Sequence, residues 1–214
     1  LSEEEALEIF KDIGIQIVDY KVSFNEKQAI EHSSQIGFPL AMKVLSNKIL
    51  HKTETGGVEL NIKNLEEVKI SFKKLSDVFQ KLKINSSEKK FIIQKMEKGI
   101  AEIILGYRVD ELVGPIVVIG SGGILSEIYN DKSIRMAPVD ITEAKKMIKE
   151  VKSLVTITGY RGLPEVDINI IATAIVNISK FALVKEIKEA EINPVIVKKN
   201  NEGIVAVDGL ITLK

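Results

Sequence analysis

Lys43 stands inside the apolar run Leu40-Ala41-Met42-Lys43-Val44-Leu45. Alternation with period two puts Ala41, Lys43 and Leu45 on one face of a strand there. An ammonium among apolar neighbours is costly unless an opposite charge meets it. Two readings are open: an edge strand whose lysine reaches water, or a lysine that holds phosphate. The next candidate is the run His51-Lys52-Thr53-Glu54-Thr55-Gly56-Gly57-Val58. Gly56 and Gly57 let the backbone come close to phosphate oxygens with amides pointing inward. The run is neither a Walker nor a Rossmann sequence, and a Gly-Gly before a strand is by itself an ordinary turn. His51 falls in this polar segment, where a surface histidine is the default. His32, the other histidine, falls mid-helix and reads as an ordinary helix residue.

Gln94, Lys95, Met96 and Glu97 lie where a strand over residues 91–96 runs out into a turn. A strand end can offer free backbone N–H and C=O groups to a flat heterocycle; it can also be a plain strand end. Glu102 follows among Ala101, Ile103, Ile104 and Leu105, either with a specific partner or on a solvated face. The last candidates are set by a hairpin. Lys199-Asn200-Asn201-Glu202-Gly203 is good turn chemistry between strands over residues 191–197 and 204–208. With Asn200-Asn201 as the central residues, Asn193 lies opposite Asp208, their Cβ atoms about 4.5–5.5 Å apart. Glu191 shares that face. A carboxylate beside an amide oxygen makes a hard oxygen site suited to Mg²⁺. The other reading is a hairpin with a solvated polar face, and a register shift of one would break the pairing.

The elements that carry these residues follow from caps and periodicity. Ser2 with Glu5 opens a helix that Gly14 closes, and residues 16–22 read as a strand. Asn25 caps a second helix ending at Gly37, and Asn64 caps a long one reaching about Leu82. Strands are expected at 38–45, 58–62, 91–96, 101–109, 115–119, 125–129 and 133–136, with Gly120-Ser121-Gly122-Gly123 as a loop. Thr142 caps a further helix, 167–181 form another, and the chain finishes with two strands at 191–197 and 204–207. Helix–strand alternation gives way to consecutive strands near Gly99. An α+β protein of two lobes is expected, 1–98 with the loop 46–57, and 99–214.

Bulk composition narrows the function classes. The chain has 214 residues, 45% of them apolar, enough for a sizeable core. Thirty Lys and Arg balance thirty Asp and Glu, so neither nucleic acid nor an anionic membrane is an expected partner. The absence of cysteine excludes thiol catalysis and thiolate metal sites and fits a reducing cytoplasm. No apolar run approaches the roughly 20 residues of a membrane span, and no signal peptide opens the chain. The first residue, Leu1, fits a processed, trimmed or fused piece of a longer protein.

Taken in order, these pieces resemble the ATP-grasp domain of the ADP-forming acyl-CoA (acetyl-CoA type) synthetases over nearly the whole chain. The resemblance runs through Gly37-Phe38-Pro39-Leu40-Ala41-Met42-Lys43, the His51 to Val58 run, Gly120-Ser121-Gly122-Gly123, Arg135-Met136-Ala137-Pro138, Gly159-Tyr160-Arg161-Gly162, Glu191-Ile192-Asn193-Pro194 and Val207-Asp208. It implies an ATP-grasp fold of two α/β lobes around a nucleotide cleft. It implies that Lys43 with Gly56 and Gly57 holds ATP or ADP phosphates, that Gln94, Lys95, Met96 and Glu97 form the hinge against adenine, and that Glu102 contacts the nucleotide. Asn193 and Asp208 would hold Mg²⁺. His51 would be the catalytic phosphate carrier on a mobile loop, with Lys52 adding positive charge. Gly122, Gly123 and Arg135 are expected in the cleft without an assigned step. The implied reaction is acyl-CoA + ADP + phosphate ⇌ acid + CoA + ATP, completed with a CoA-binding partner subunit or fused domain. Rival readings are a succinyl-CoA synthetase β-like subunit, against which the histidine in the glycine loop argues, an ATP-grasp carboxylate ligase, and a non-catalytic nucleotide-sensing module fused to an acyltransferase.

Overall fold

Caps decide where the helices begin. The computed structural model describes residues 1–46, 55–85, 89–123, 130–159, 161, 166–199 and 202–214. In chain order its elements are α1 (Glu3–Asp12), β1 (Tyr20–Ser23), α2 (Glu26–Ile36), β2 (Leu40–Leu45), β3 (Val58–Ile62), α3 (Leu65–Lys81) and β4 (Lys90–Lys95). There follow β5 (Ala101–Asp110), β6 (Gly114–Ser121), β7 (Lys132–Met136), α4 (Ile141–Glu150), α5 (Ile168–Ser179), β8 (Ile187–Val197), β9 (Ile204–Ala206) and β10 (Gly209–Leu213). Asn25 Oδ1 accepts the N–H of Gln28, and Asn64 Oδ1 that of Glu67, each at 2.9 Å. Both satisfy N–H groups that the first helical turn leaves without an intrahelical acceptor. No helix among the described residues is long and apolar enough to cross a membrane.

The chain divides into two compact units. One comprises Leu1, Glu3–Ile17 and Glu97–Lys214; the other comprises Val18–Met96 together with Ser2. The expected lobe boundary, 1–98 against 99–214, therefore needs correction at its start, because α1 belongs with the C-terminal segment. The reason is packing. Ala6 and Phe10 are fully buried in the core of the two-segment unit. Gly209 on β10 lets the Phe10 ring lie so close that a Cβ there would stand 2.8 Å from ring carbon Cε2. The Leu1 ammonium also donates to the Ile211 carbonyl at 2.9 Å.

In the 18–96 unit the sheet order is β1-β4-β2-β3, antiparallel throughout. Leu40, Met42, Val44, Phe91 and Ile93 face α2 and α3, whose Ala29, Val68, Leu75 and Phe79 complete that core. Ala41, Lys43 and Gln94 point to the opposite face. In the two-segment unit the order is β10-β8-β5-β6-β7, with β9 added to β8. Ile103, Leu105, Tyr107, Val117, Ile119, Ala190 and Ile192 supply the sheet's side of a core shared with α1, α4 and α5.

Two expected elements are corrected and two further ones appear. Residues 16–22 are not one strand: Ile17 forms an isolated bridge with Ala206, and β1 starts at Tyr20. The cap of α4 is Asp140, whose Oδ1 accepts the Glu143 N–H at 2.8 Å, while Thr142 lies inside the helix. A 3₁₀ segment, Lys152–Ile157, follows α4. The chain ends on a third strand, β10, beyond the two expected. The strand expected at 125–129 lies outside the described residues.

Candidate functional site

β2 is an interior strand, so the edge reading of Lys43 fails. Lys43 is opposed by Ile92 of β4 and Val58 of β3, and it is only 5% exposed. Gln94 pairs with Ala41 and with Tyr20. It thus sits on the Lys43 face, diagonal to the lysine, and is fully buried. Gly57 is brought to the same strand, its carbonyl accepting the Val44 N–H at 2.9 Å. Gly56 takes the left-handed conformation, φ +71°, which a side chain would disfavour. The 18–96 unit therefore gathers a buried lysine, a buried amide side chain and a glycine turn. His51 lies outside the described residues.

The strand end at 94–97 differs from expectation. The N–H of Lys95 donates to the Asp19 carbonyl at 2.9 Å, and that of Met96 to the Pro39 carbonyl at 3.1 Å. Those two N–H groups are engaged within the unit. Met96 Sδ accepts the Asn61 N–H at 3.0 Å. The Glu97 carboxylate meets the Lys198 ammonium at 2.8 Å, with side-chain exposures of 13% and 19%. In the sequence Lys198 stands between the strand over residues 191–197 and the turn at 199–203. Nothing local marks it as the partner of a glutamate about a hundred residues earlier.

In the two-segment unit the last hairpin has the expected register. Val195 pairs with Ala206, Ile196 with Val205 and Val197 with Ile204. Gly209 pairs with Ile192 and Leu210 with Glu191 in the same count. Between them the Asn193 N–H donates to the Asp208 carbonyl at 3.1 Å, so the two residues lie opposite each other. A bulge sharpens the arrangement. Ile103 opposes Val195 while Leu105 opposes Ile192, so Asn193 and Pro194 together face the single Ile104. Such a bulge re-aims a side chain. Ile192 and Val195 both turn to the core, and Asn193 is left exposed on the other face. Asn193 Nδ2 donates to Glu191 Oε1 at 3.3 Å, which turns the amide oxygen of Asn193 away from that carboxylate. An amide oxygen beside the Asp208 carboxylate fits Mg²⁺, which takes few protein ligands and keeps water and phosphate oxygens for the rest. Among the described residues no group of three or more His, Cys, Asp or Glu could hold a metal.

Glu102 lies on that same sheet face, since Ile103 and Leu105 point into the core. The glycine loop closes on it. The Gly122 N–H donates to the Glu102 carbonyl at 2.7 Å. Arg135 does not join them. On β7 it opposes Val117, a core residue, and so faces α4. Its guanidinium donates to Glu143 at 2.7 Å and also pairs with Glu150. The two carboxylates raise its pKa further, and it holds both of theirs below the usual range. Placing Arg135 in the cleft is therefore corrected: it clamps β7 to α4. A cavity of about 490 Å³ lined by Gly14, Gln16, Asn169, Thr173 and Glu202 contains none of the candidate residues.

The comparison with known families decides what this arrangement is. A family model described as an ATP-grasp domain matches residues 1–213. The chain belongs to the ATP-grasp family. This ATP-grasp domain is 38% identical over 214 residues to the β subunit of ADP-forming acetate–CoA ligase I from Pyrococcus furiosus, covering 100% of this chain and 91% of the relative. Among solved structures it is similar to an acetyl-coenzyme A synthetase of Ca. Korarchaeum cryptofilum in complex with coenzyme A and Ca-AMPCP. There the TM-score is 0.90 and the identity 33%, covering 100% of this chain and 93% of that one. Another structure of that synthetase, with coenzyme A and Mg-AMPPCP, has its phosphohistidine segment pointing towards the nucleotide binding site. It matches at TM-score 0.82 and 32% identity, covering 99% and 92%. The two-unit α/β architecture is thus that of an ATP-grasp ADP-forming ligase domain, a family of nucleotide-binding enzymes.

Proposed function

We propose that this chain is the nucleotide-handling part of an ADP-forming acid–CoA ligase, passing a phosphoryl group between a histidine and ADP. The observation that carries the reading is the opposition of Asn193 and Asp208, in a chain matched along its length by the family. Asn193 and Asp208 would hold Mg²⁺. Bound there, the ion would neutralise phosphate charge and fix its oxygens.

The chain's own residues supply the rest. Lys43 would bring positive charge to the phosphates from a buried, low-dielectric position, where a point charge acts most strongly. Gly56 and Gly57 would let the backbone come close to the same oxygens. Gln94 and the main chain through Glu97 would place the base. The Glu97 carboxylate, held by Lys198, anchors this segment and does not itself reach for the ligand. His51 would be the carrier. Its P–N bond breaks with the electron pair returning to the ring, and the terminal oxygen of ADP forms the new P–O bond, giving ATP. Such a transfer depends mainly on positioning and charge neutralisation. A CoA-binding subunit or fused domain would supply the acyl and CoA sites, and a cytoplasmic setting belongs to the same reading.

The test is to incubate the chain and its CoA-binding partner with acyl-CoA and ³²P-labelled phosphate. Acid-labile label is expected on this chain. His51→Ala should lose that label and ATP synthesis while still binding MgADP. Near-normal ATP synthesis by His51→Ala would overturn the reading, and nucleotide binding without any labelling would favour a sensing module instead.

A further inference from the structure

The loop after β6 turns back over the strand it has just paired with. Ser121 opposes Ile103, and the next residue, Gly122, donates its N–H to the Glu102 carbonyl at 2.7 Å. The approach is too close for a side chain. A Cβ on Gly122 would lie 2.8 Å from the carbonyl carbon of Glu102, 2.9 Å from its Cβ and 3.0 Å from its oxygen. All of these belong to the backbone or the root of the side chain, which cannot swing aside. Gly123 is needed for a different reason. Its φ is +81°, where L-residues are strained. This conformation sets its α-carbon beside the far end of Glu102: the Cβ it lacks would be 3.5 Å from Oε2. Glu102 is itself exposed, so core packing does not restrict its rotamers.

We propose that Gly122 and Gly123 are positioning residues that set the Glu102 carboxylate for its nucleotide contact. The inference rests on the reading of Glu102 as a nucleotide ligand. Gly122 fixes the root of the side chain through the backbone hydrogen bond. Gly123 forms a wall beside its carboxylate. A carboxylate held this way is pre-organised to accept hydrogen bonds from the ligand, so less side-chain freedom is lost on binding.

The experiment is a double-mutant cycle on the full chain, reading the Kd for MgADP by calorimetry, with melting curves as a check on folding. Glu102→Ala should weaken binding roughly tenfold to a hundredfold, the range for a hydrogen bond to a charged group. Gly122→Ala should weaken it severalfold in the native background and leave it within about twofold when Glu102 is already alanine. Equal losses in both backgrounds would mean that the loop merely supports the sheet, and would overturn the proposal. So would an unchanged Kd in folded Gly122→Ala. An unchanged Kd in Glu102→Ala would instead remove the nucleotide reading of Glu102, and the proposal with it. Should Gly122→Ala not fold, the same cycle with Gly123→Asn decides, because asparagine tolerates the left-handed φ of +81° better than other side chains and a Cβ there meets only an ordinary contact distance.

Discussion

Glu97 and Lys198 form an ion pair at 2.8 Å, and both side chains are largely buried. The residue before Glu97 is tied elsewhere, Met96 bonding Pro39 and Asn61 within the 18–96 unit. Met96 and Glu97 are thus each secured within their own unit. Removing one partner of a buried pair strands the other charge, which costs more than losing both. Lys198→Met should destabilise the protein by about 1–3 kcal/mol, below the fully buried range because some water reaches the pair. Adding Glu97→Gln should restore part of the loss. Urea unfolding of the two single variants and the double variant checks this. A double variant weaker than Lys198→Met would show that the pair is not the determinant.

The proposed metal ligands Asn193 and Asp208 make a differential prediction. Asp208→Ala should weaken binding of Mg²⁺-nucleotide far more than binding of nucleotide in EDTA. Asn193→Ala should do the same less severely, since a neutral amide oxygen is the weaker ligand. Calorimetry with and without Mg²⁺ separates the cases. Equal losses in both titrations would mean that the hairpin had been damaged.

Lys43 should matter to binding with the fold retained. Lys43→Met should keep a native circular-dichroism spectrum, since the methionine fills a similar volume in an interior strand. Nucleotide affinity should fall by about 1.5–3 kcal/mol, the size of a charge-assisted contact. An unchanged Kd would sink the assignment.

Arg135 should act on stability and leave nucleotide affinity at neutral pH alone. Hydrogen bonds from Arg135 lower the pKa of both Glu143 and Glu150 from their ordinary 4.5. The unfolded chain then binds more protons than the folded one just below that value, so stability rises with pH there. The contribution is complete above 4.5 and is lost as pH falls through the lowered folded values. Arg135→Met should flatten the acid limb of a stability profile measured from pH 6 downward. An unchanged slope would mean that the clamp carries no linkage.

Local chemistry was readable wherever it decided the structure. The turn residues 199–203 and the alternation around them give the register that sets Asn193 against Asp208, and Asn25 and Asn64 announce their helices. Asp140 could have been chosen over Thr142, because Glu143 three residues later completes the capping pattern. What escaped depends on distant partners. The resemblance alone suggests a cleft place for Arg135, and nothing near it in the sequence shows that its strand face meets Glu143 and Glu150, one face of α4 seven residues apart. The bulge at Asn193-Pro194 is invisible without β5 beside it, and Lys198 has no meaning until Glu97 is placed. Strand β10 is short and opens on glycine, so its claim to be a strand rests on β8 and on Phe10.

That last contact sets an order of assembly. Residues 18–96 are contiguous, so their sheet and helices can close soon after the ribosome has released them. Helix α1 is made before residues 18–96, yet Gly209, the glycine against which Phe10 packs, follows them by more than a hundred residues. At ordinary synthesis rates the wait is roughly 10–40 s, during which an amphipathic helix carries an uncovered apolar stripe. The strand that ends the wait also brings Asp208 into line, so nascent chains stalled before Gly209 should hold a folded 18–96 unit and leave Asp208 out of register with Asn193.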